Sequence, residues 1–229
     1  MSAAFYQNKD SFLVAVDCII IGFRENNLHI LITRRPFEPL KGGWSLMGGF
    51  VSASENIYEA AKRVVGEFTG IDDIYLEQVG AYGDIGRDVE RVISVAYFAL
   101  VDIEKFNTSL ADKYDAHWVR ITMLPELIFD HNKMVKDTIR LLQQRAAVKP
   151  VGFTLLGDQF TLPTLQSLYE SIYQEVIDKR NFRKKLLAMD ILEKLDEKDK
   201  SSSKRGAFYY EYNKEKYKQL IEQGLHFSL

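Results

Sequence analysis

The sequence is poor in several residue types, and each shortage excludes a class of chemistry. A single cysteine, Cys18, rules out an internal disulfide and a cysteine metal site. It lies in the apolar run Val14–Ile21, which marks it as a buried structural residue rather than a nucleophile. The four histidines, His29, His117, His131 and His226, show no metal-ligand spacing. His131 follows Asp130 near an expected helix start, where a structural hydrogen-bonding role is the plainer reading. No nucleophile elbow supports Ser-His-Asp chemistry. No apolar run reaches membrane length and no secretory leader pattern is present, so a cytoplasmic protein with no membrane partner is expected. A net charge of −2 gives no bulk attraction to nucleic acid.

What is present is a globular composition. A hydrophobic share of 46% over 229 residues suits one large domain or two modest ones. The densest pattern runs from Gly49 to Ile71. Ser52 and Glu55 have capping-box spacing, and Ile57, Ala60, Ala61, Val64 and Phe68 recur as the buried face of a helix. Gly70 suits a left-handed C′ position. Glu55, Glu59, Arg63 and Glu67 fall four apart on a second face, which alone is an ordinary solvated helix surface.

The order Gly49, Glu55, Arg63, Val65, Glu67, Gly70, Ile71 resembles the box of the Nudix hydrolases. That box reads Gly, five residues, Glu, seven residues, then Arg-Glu-aliphatic-any-Glu-Glu-any-Gly-aliphatic. Here Val64 and Phe68 stand where the family has two more glutamates. The resemblance implies an α/β/α sandwich whose box glutamates hold Mg²⁺. Positions 64, 67 and 68 share about one helical turn, so Glu67 is what remains of a three-carboxylate cluster. One carboxylate does not neutralise divalent ions and activate a water. The fold is expected without a metal, a cofactor or hydrolysis.

The flanking chain fits that fold. Phe12–Phe23 and Leu28–Thr33 read as strands around a Glu25-Asn26-Asn27 turn. Ile74–Tyr82, Arg91–Val101 and Ala116–Ile121 read as further strands, and Leu127–Arg145 as a helix. Met47 replaces the proline that usually precedes the paired glycines of the box. The loop Tyr82–Glu90 resembles the Gly-Arg-Asp loop of Nudix-related transcriptional regulators.

After Pro150 the pattern changes. A helix begins after Thr161 with Pro163 in its first turn and an apolar stripe of Leu165, Leu168, Tyr169, Ile172 and Tyr173. Asp178 is an N-cap candidate for a second helix with Phe182, Leu186 and Met189 inward and five basic residues within 179–185. An apolar side with basic and amide groups opposite is what a recognition helix needs, although charge alone fits a solvated accessory helix equally. Lys194–Arg205 reads as a charged, Ser-rich loop, Ala207–Tyr212 as a strand that makes a wing with it, and Lys214–Leu220 as a closing helix. This half resembles the winged helix of the same regulators, so the resemblance spans nearly the whole chain.

The expectation is an α/β protein: a Nudix-like α/β/α sandwich over 1–149 that senses an effector, and a winged helix-turn-helix over 150–229 that binds DNA. The resemblance implies a homodimeric repressor on a double-stranded operator, released by ADP-ribose or by a sugar, with the arabinose-type branch the nearest. Effector contacts are expected from Arg34, Arg35, Trp44, Glu67, Tyr82, Asp84, Arg87 and Asp88. DNA contacts are expected from Lys179, Arg180, Asn181, Arg183, Lys184, Lys185, Lys204 and Arg205, with Asn181 suited to adenine. Two rival readings stand beside this one. The first is a Mg²⁺-dependent Nudix hydrolase of a nucleoside diphosphate derivative, and the second is an interaction module whose basic helix docks an acidic partner.

Overall fold

A computed structural model describes residues 9–71, 74–106, 108–200 and 205–228. The chain runs β1 (Leu13–Arg24), β2 (Asn27–Arg34), β3 (Trp44–Ser45), β4 (Met47–Phe50), α1 (Ile57–Thr69), β5 (Tyr75–Tyr82) and β6 (Val92–Val101). It continues with α2 (Thr108–Tyr114), β7 (Ala116–Arg120) and α3 (His131–Val148). The last third holds β8 (Gln159–Thr161), α4 (Leu162–Tyr173), α5 (Lys179–Ala188), β9 (Leu192–Asp199), β10 (Ala207–Tyr212) and α6 (Lys214–Glu222).

The first sheet has the order β3-β2-β1-β6-β5, with β4 on β1 and β7 on β2. Strand β1 lies parallel to β6 from Leu13↔Val92 to Gly22↔Val101 and is buried from Val16 to Phe23. Its near-continuous apolar run follows from cover on both faces. Side chains alternate across the sheet, so β1 feeds two cores. Val16, Cys18 and Ile20 pack with Ala60, Ala61, Val64 and Val65 of α1. Ile19, Ile21 and Phe23 join Met134, Val135 and Leu142 of α3 on the opposite face. The buried place expected for Cys18 is observed, and burial raises its thiol pKa.

The second core does not stop at the sandwich. It continues through Leu165, Leu168, Tyr169, Ile172, Phe182 and Leu186 of the C-terminal helices to Phe227. Two polar contacts cross the same junction. The Leu28 N–H donates to Ser171 Oγ at 2.8 Å, and Gln143 Nε2 donates to the Ile172 carbonyl at 2.9 Å. A second sheet, β8-β10-β9, carries the wing, with Phe153 stacked on Tyr212 at 4.5 Å.

Three local readings are corrected. Helix α1 is capped by Asn56, not Ser52: Asn56 Oδ1 accepts from Glu59 N–H, and Glu59 Oε2 accepts from Asn56 N–H, both at 2.9 Å. The Ser52–Glu55 pair closes the preceding loop instead, and Ile57 sits exposed in the first turn. Helix α3 starts at His131, because Leu127 bridges to Trp44 and its N–H is taken by Asn132 Oδ1. The first half of the stretch expected to be a loop, Lys194–Asp199, belongs to strand β9, while 201–204 lie outside the described residues. Its charges hide the pattern because both wing faces are solvated; pairing with β10 holds it, and the ammonium groups of Lys194 and Lys198 sit over the Phe208 ring.

The Ser171 contact yields a first prediction. Ser171→Ala leaves a buried backbone donor without its acceptor and should lower the unfolding free energy by about 1–3 kcal/mol in urea denaturation. An unchanged denaturation midpoint would mean that the junction does not depend on this bond.

Candidate functional site

A cleft of about 520 Å³ opens beside α1, between the ends of β1, β2 and β4 and the start of α3. Its base carries Asp17, Ser45, Leu46 and His131. Gly48 is required there, since a Cβ would lie 2.5 Å from Asp17 Oδ1. Arg34, Arg35, Phe37 and Phe129 line one part of the cleft, and Phe68, Lys113 and Tyr114 another.

A buried polar network organises the base. Arg87 reaches Asp130 with Nε at 3.0 Å and an Nη at 2.6 Å, and the same Nη lies 3.8 Å from Asp17 Oδ2. Ser94 Oγ donates to that Asp17 oxygen at 2.5 Å. His131 Nε2 is 3.6 Å from Asp17 Oδ1, while its Nδ1 accepts the Leu46 N–H at 3.2 Å. Burial pulls the His131 pKa below its usual range, against the raising effect of Asp17 and Asp130, and because Nδ1 accepts a backbone N–H the ring proton belongs on Nε2. Burial works against the charge on both Asp130 and Arg87. Their mutual hydrogen bonds outweigh it, lowering the carboxyl pKa and raising that of the guanidinium.

The box has been rebuilt as structure. Val64 is buried, and its Cγ2 lies 3.1 Å from where a Cβ on Gly49 would stand. Phe68 turns into the cleft wall and packs on Tyr114 with ring centroids 4.4 Å apart. Glu67 is 49% exposed and pairs with Arg63 at 3.5 Å. Arg63 itself forms a two-pronged bond with Glu55, at 2.8 and 2.9 Å, and donates to the Phe50 carbonyl at 3.1 Å. Those bonds hold the Glu55 pKa at about 2. Two positions that would carry metal ligands are thus apolar, and the remaining box carboxylates are bound to Arg63.

Of the expected effector residues, Arg34, Arg35, Arg87 and Asp88 line the cleft. Trp44 lies outside it, stacked under the Arg34 guanidinium at 3.6 Å and edge-on to His117. Tyr82 is turned away to donate to Asp137 at 3.0 Å in a separate shallow groove with Lys133. Asp84 is exposed, with its carbonyl accepting the Arg87 N–H at 3.3 Å. Glu67 is about half exposed and paired with Arg63, and it does not line the cleft. Sequence reasoning missed Asp17, Phe37, Phe129, Lys113 and Tyr114. Only Asp17 left a trace, as the one charge inside a continuous apolar strand.

The second candidate surface is α5. Asp178 Oδ1 caps it by accepting the Asn181 N–H at 2.8 Å. Phe182 and Leu186 are buried, with Phe182 packed on Tyr169 at 5.6 Å. Lys179, Arg180, Asn181, Lys184 and Lys185 are exposed, and none of these cations is in an ion pair among the described residues. Arg183 is half-buried with its Nε enclosed. Arg205 is exposed at the wing tip beside Gly206, whose φ of 67° needs glycine; Lys204 lies outside the described residues.

Comparison with known proteins agrees with both halves. A model of the NUDIX domain matches residues 11–142, and one of the NrtR DNA-binding winged helix domain matches residues 152–212. The chain belongs to the NrtR-type branch of the Nudix family. It is 32% identical over 216 residues to the ADPR responsive transcriptional repressor NtrR of Acinetobacter baylyi, covering 91% of this chain and 86% of that protein. It is 35% identical over 129 residues to the ADP-ribose pyrophosphatase of Methanocaldococcus jannaschii, covering 56% of this chain and 73% of that one. The crystal structure of Shewanella oneidensis NrtR complexed with a 27mer DNA superposes with a TM-score of 0.80 at 25% identity, over 93% of this chain and 97% of that one. The expected architecture, a Nudix domain followed by a winged helix, is the one observed. The sugar-responsive branch gains no support, since the relative matched over nearly the full length is named for ADP-ribose.

Two outcomes follow from the network. Asp130→Ala strands Arg87, whose side chain is 5% exposed, and should cost about 3–5 kcal/mol of stability by denaturant titration. The second concerns pH. The unfolded chain takes up a proton at His131 near the ordinary value of 6.5, whereas the folded chain resists it, so stability falls as pH drops below that value. Asp130, depressed in the fold, stabilises fully above its unfolded pKa and loses that contribution as pH falls further. His131→Gln should flatten the first part of this decline; an identical pH profile would place the proton elsewhere.

Proposed function

We propose that this protein is a DNA-binding transcriptional repressor whose Nudix cleft binds ADP-ribose and thereby releases the operator. The carrying observation is the joint arrangement within one chain: an open cleft with Val64 and Phe68 where metal carboxylates would stand, and a capped helix on which Lys179, Arg180, Lys184 and Lys185 are exposed and in no ion pair among the described residues. The likeness to an ADP-ribose-responsive repressor, and to a regulator solved on DNA, supports the same reading. In this reading residues 1–149 sense and residues 150–229 bind DNA. Arg34, Arg35, Arg87 and Asp88 face the effector, and Lys179, Arg180, Asn181, Lys184 and Lys185 face the duplex, with Arg183, Lys204 and Arg205 at its margin.

The chemistry of each surface fits its role. Exposed lysines and arginines bind phosphates without regard to sequence, and Asn181 adds a side chain able to pair with adenine. A homodimer would set two such helices about 34 Å apart along a palindrome. The cleft binds rather than hydrolyses, because Glu67 alone supplies too little negative charge for a divalent ion and lies paired with Arg63. No described helix is long and apolar enough to cross a membrane.

Fluorescence anisotropy with DNA from around the protein's own gene, at fixed salt, tests this. Specific binding should weaken on adding ADP-ribose and not on adding L-arabinose. Arg180→Glu with Lys184→Glu should cost on the order of 1–3 kcal/mol per side chain and reduce the salt slope. DNA affinity that ignores both the double substitution and ADP-ribose would sink the proposal. Mg²⁺-dependent ADP-ribose hydrolysis that vanishes in Glu67→Gln would favour the enzyme instead.

A further inference from the structure

Four cationic side chains line the cleft: Arg34, Arg35, Arg87 and Lys113. Three have structural partners. Arg87 is bound to Asp130, and Arg34 donates to the Gly42 carbonyl at 2.8 Å while stacking on Trp44. Lys113 lies over its neighbour, Tyr114, at 4.6 Å from the ring centroid. Arg35 differs. Its guanidinium sits 4.3 Å from the Phe37 ring centroid and 5.3 Å from that of Phe129, and it makes no ion pair among the described residues. Its Nε is fully enclosed and has no hydrogen-bond partner.

The surroundings hold Arg35 in place from both ends. Its N–H donates to the Gly43 carbonyl at 3.0 Å, and its carbonyl accepts the Gly42 N–H at 2.8 Å. Phe129 is presented from a left-handed backbone, φ 53°, that a bulky residue rarely adopts. Strain of that kind gathers at ligand-clamping positions. Aromatic contacts with the ring faces leave the terminal Nη edge of a guanidinium available, and its paired donors match phosphate oxygens. Beyond that edge, where box carboxylates would gather metal, stands the aromatic pair Phe68–Tyr114.

We propose that Arg35 is the anion seat of this cleft, and that it holds the effector's phosphates without a divalent ion. Identifying those phosphates as the diphosphate of ADP-ribose rests on the function proposed above; the anion seat itself does not. In this arrangement an organic cation takes over the charge that Mg²⁺ balances in a complete box. Phe68 and Tyr114, with rings tilted by 41°, offer an aromatic wall to the uncharged part of the ligand.

The test is calorimetric titration of the full chain with ADP-ribose, in EDTA and in Mg²⁺, and with inorganic pyrophosphate in EDTA, for the wild type, Arg35→Gln and Arg35→Lys. ADP-ribose should bind equally with and without Mg²⁺. Arg35→Gln should weaken it roughly 10- to 100-fold, the loss expected for charge-assisted hydrogen bonds. Arg35→Lys, which keeps the charge but not the fork, should fall between. Unchanged operator affinity in both variants would certify that they are folded. A strict need for Mg²⁺, or ADP-ribose binding indifferent to Arg35→Gln, overturns the proposal. If the wild type ignores ADP-ribose but binds pyrophosphate through Arg35, the seat stands and the nucleotide reading falls. If it binds neither, the seat falls as well.

Discussion

The buried contact of Arg87 with Asp130 and Asp17 ties together elements that share no strand pairing. Asp17 belongs to the central strand, Arg87 to the loop after β5, and Asp130 to the entry of α3. Taking these charges out of water is unfavourable unless each is matched, and here two carboxylates share one guanidinium while Ser94 donates to Asp17 Oδ2 and the His131 ring lies 3.6 Å from Oδ1. The base of the cleft therefore has one low-energy arrangement, and the start of α3 is fixed by it. The same commitment explains why Arg87, although it lines the cleft, is less free to meet a ligand than Arg35.

From that base two elements run to the same place. Strand β2 begins at the Leu28–Ser171 contact and ends at Arg34, beside Arg35. Helix α3 begins at Asp130–His131 and reaches α4 through Gln143 and Ile172. Both meet the last turn of α4, which Gln174 closes in a left-handed conformation before the turn into α5. That turn is in turn latched, since Glu170 Oε1 accepts from the Ile177 N–H and from Gln166 Nε2. The cleft and the basic helix are thus linked through a packed core and a few directional bonds. A ligand changes DNA affinity only to the extent that it binds one arrangement of these parts better than another.

How much of this was legible depended on whether a residue's role was set locally. The spacing of Gly49, Arg63, Glu67 and Gly70 marked the fold even with two glutamates missing, because the loop and helix geometry needs those positions whether or not a metal is bound. The apolar run of β1 and the Asp178 cap with its basic stripe were equally plain, since helix and strand periods report burial directly. Strand β9 was hidden by charges on both faces of a solvated ribbon. The cap at Asn56 lost to Ser52 on paper because two Ser/Asn–Glu pairs of equal spacing follow one another directly, at 52/55 and 56/59. The cleft wall was least legible: Phe37, Phe129 and Tyr114 are apolar residues in stretches without periodicity. Only the tertiary fold gathers Phe37 and Phe129 around Arg35 and sets Tyr114 against Phe68. Trp44, Tyr82 and Asp84 carried the right chemistry and were led elsewhere by closer partners.

The substitutions at 64 and 68 do more than remove charge. An emptied metal site lined by like-sized polar groups would hold water and repel a diphosphate through whatever carboxylates remained. Here Val64 is folded into the α1 core, Phe68 closes the cleft wall against Tyr114, and Glu55 is neutralised by Arg63. The negative field that a metal would have balanced is therefore largely dismantled, and a cation already present can receive an anion unaided. Catalysis requires groups that bind the transition state better than the ligand, whereas sensing requires only that the ligand be held and kept intact. A cleft with a guanidinium set between aromatic rings and an apolar wall where two box carboxylates would stand suits the second requirement. Under the proposed function the winged helix and the altered box serve one end, because a protein that reports a ligand to DNA needs that ligand held rather than destroyed.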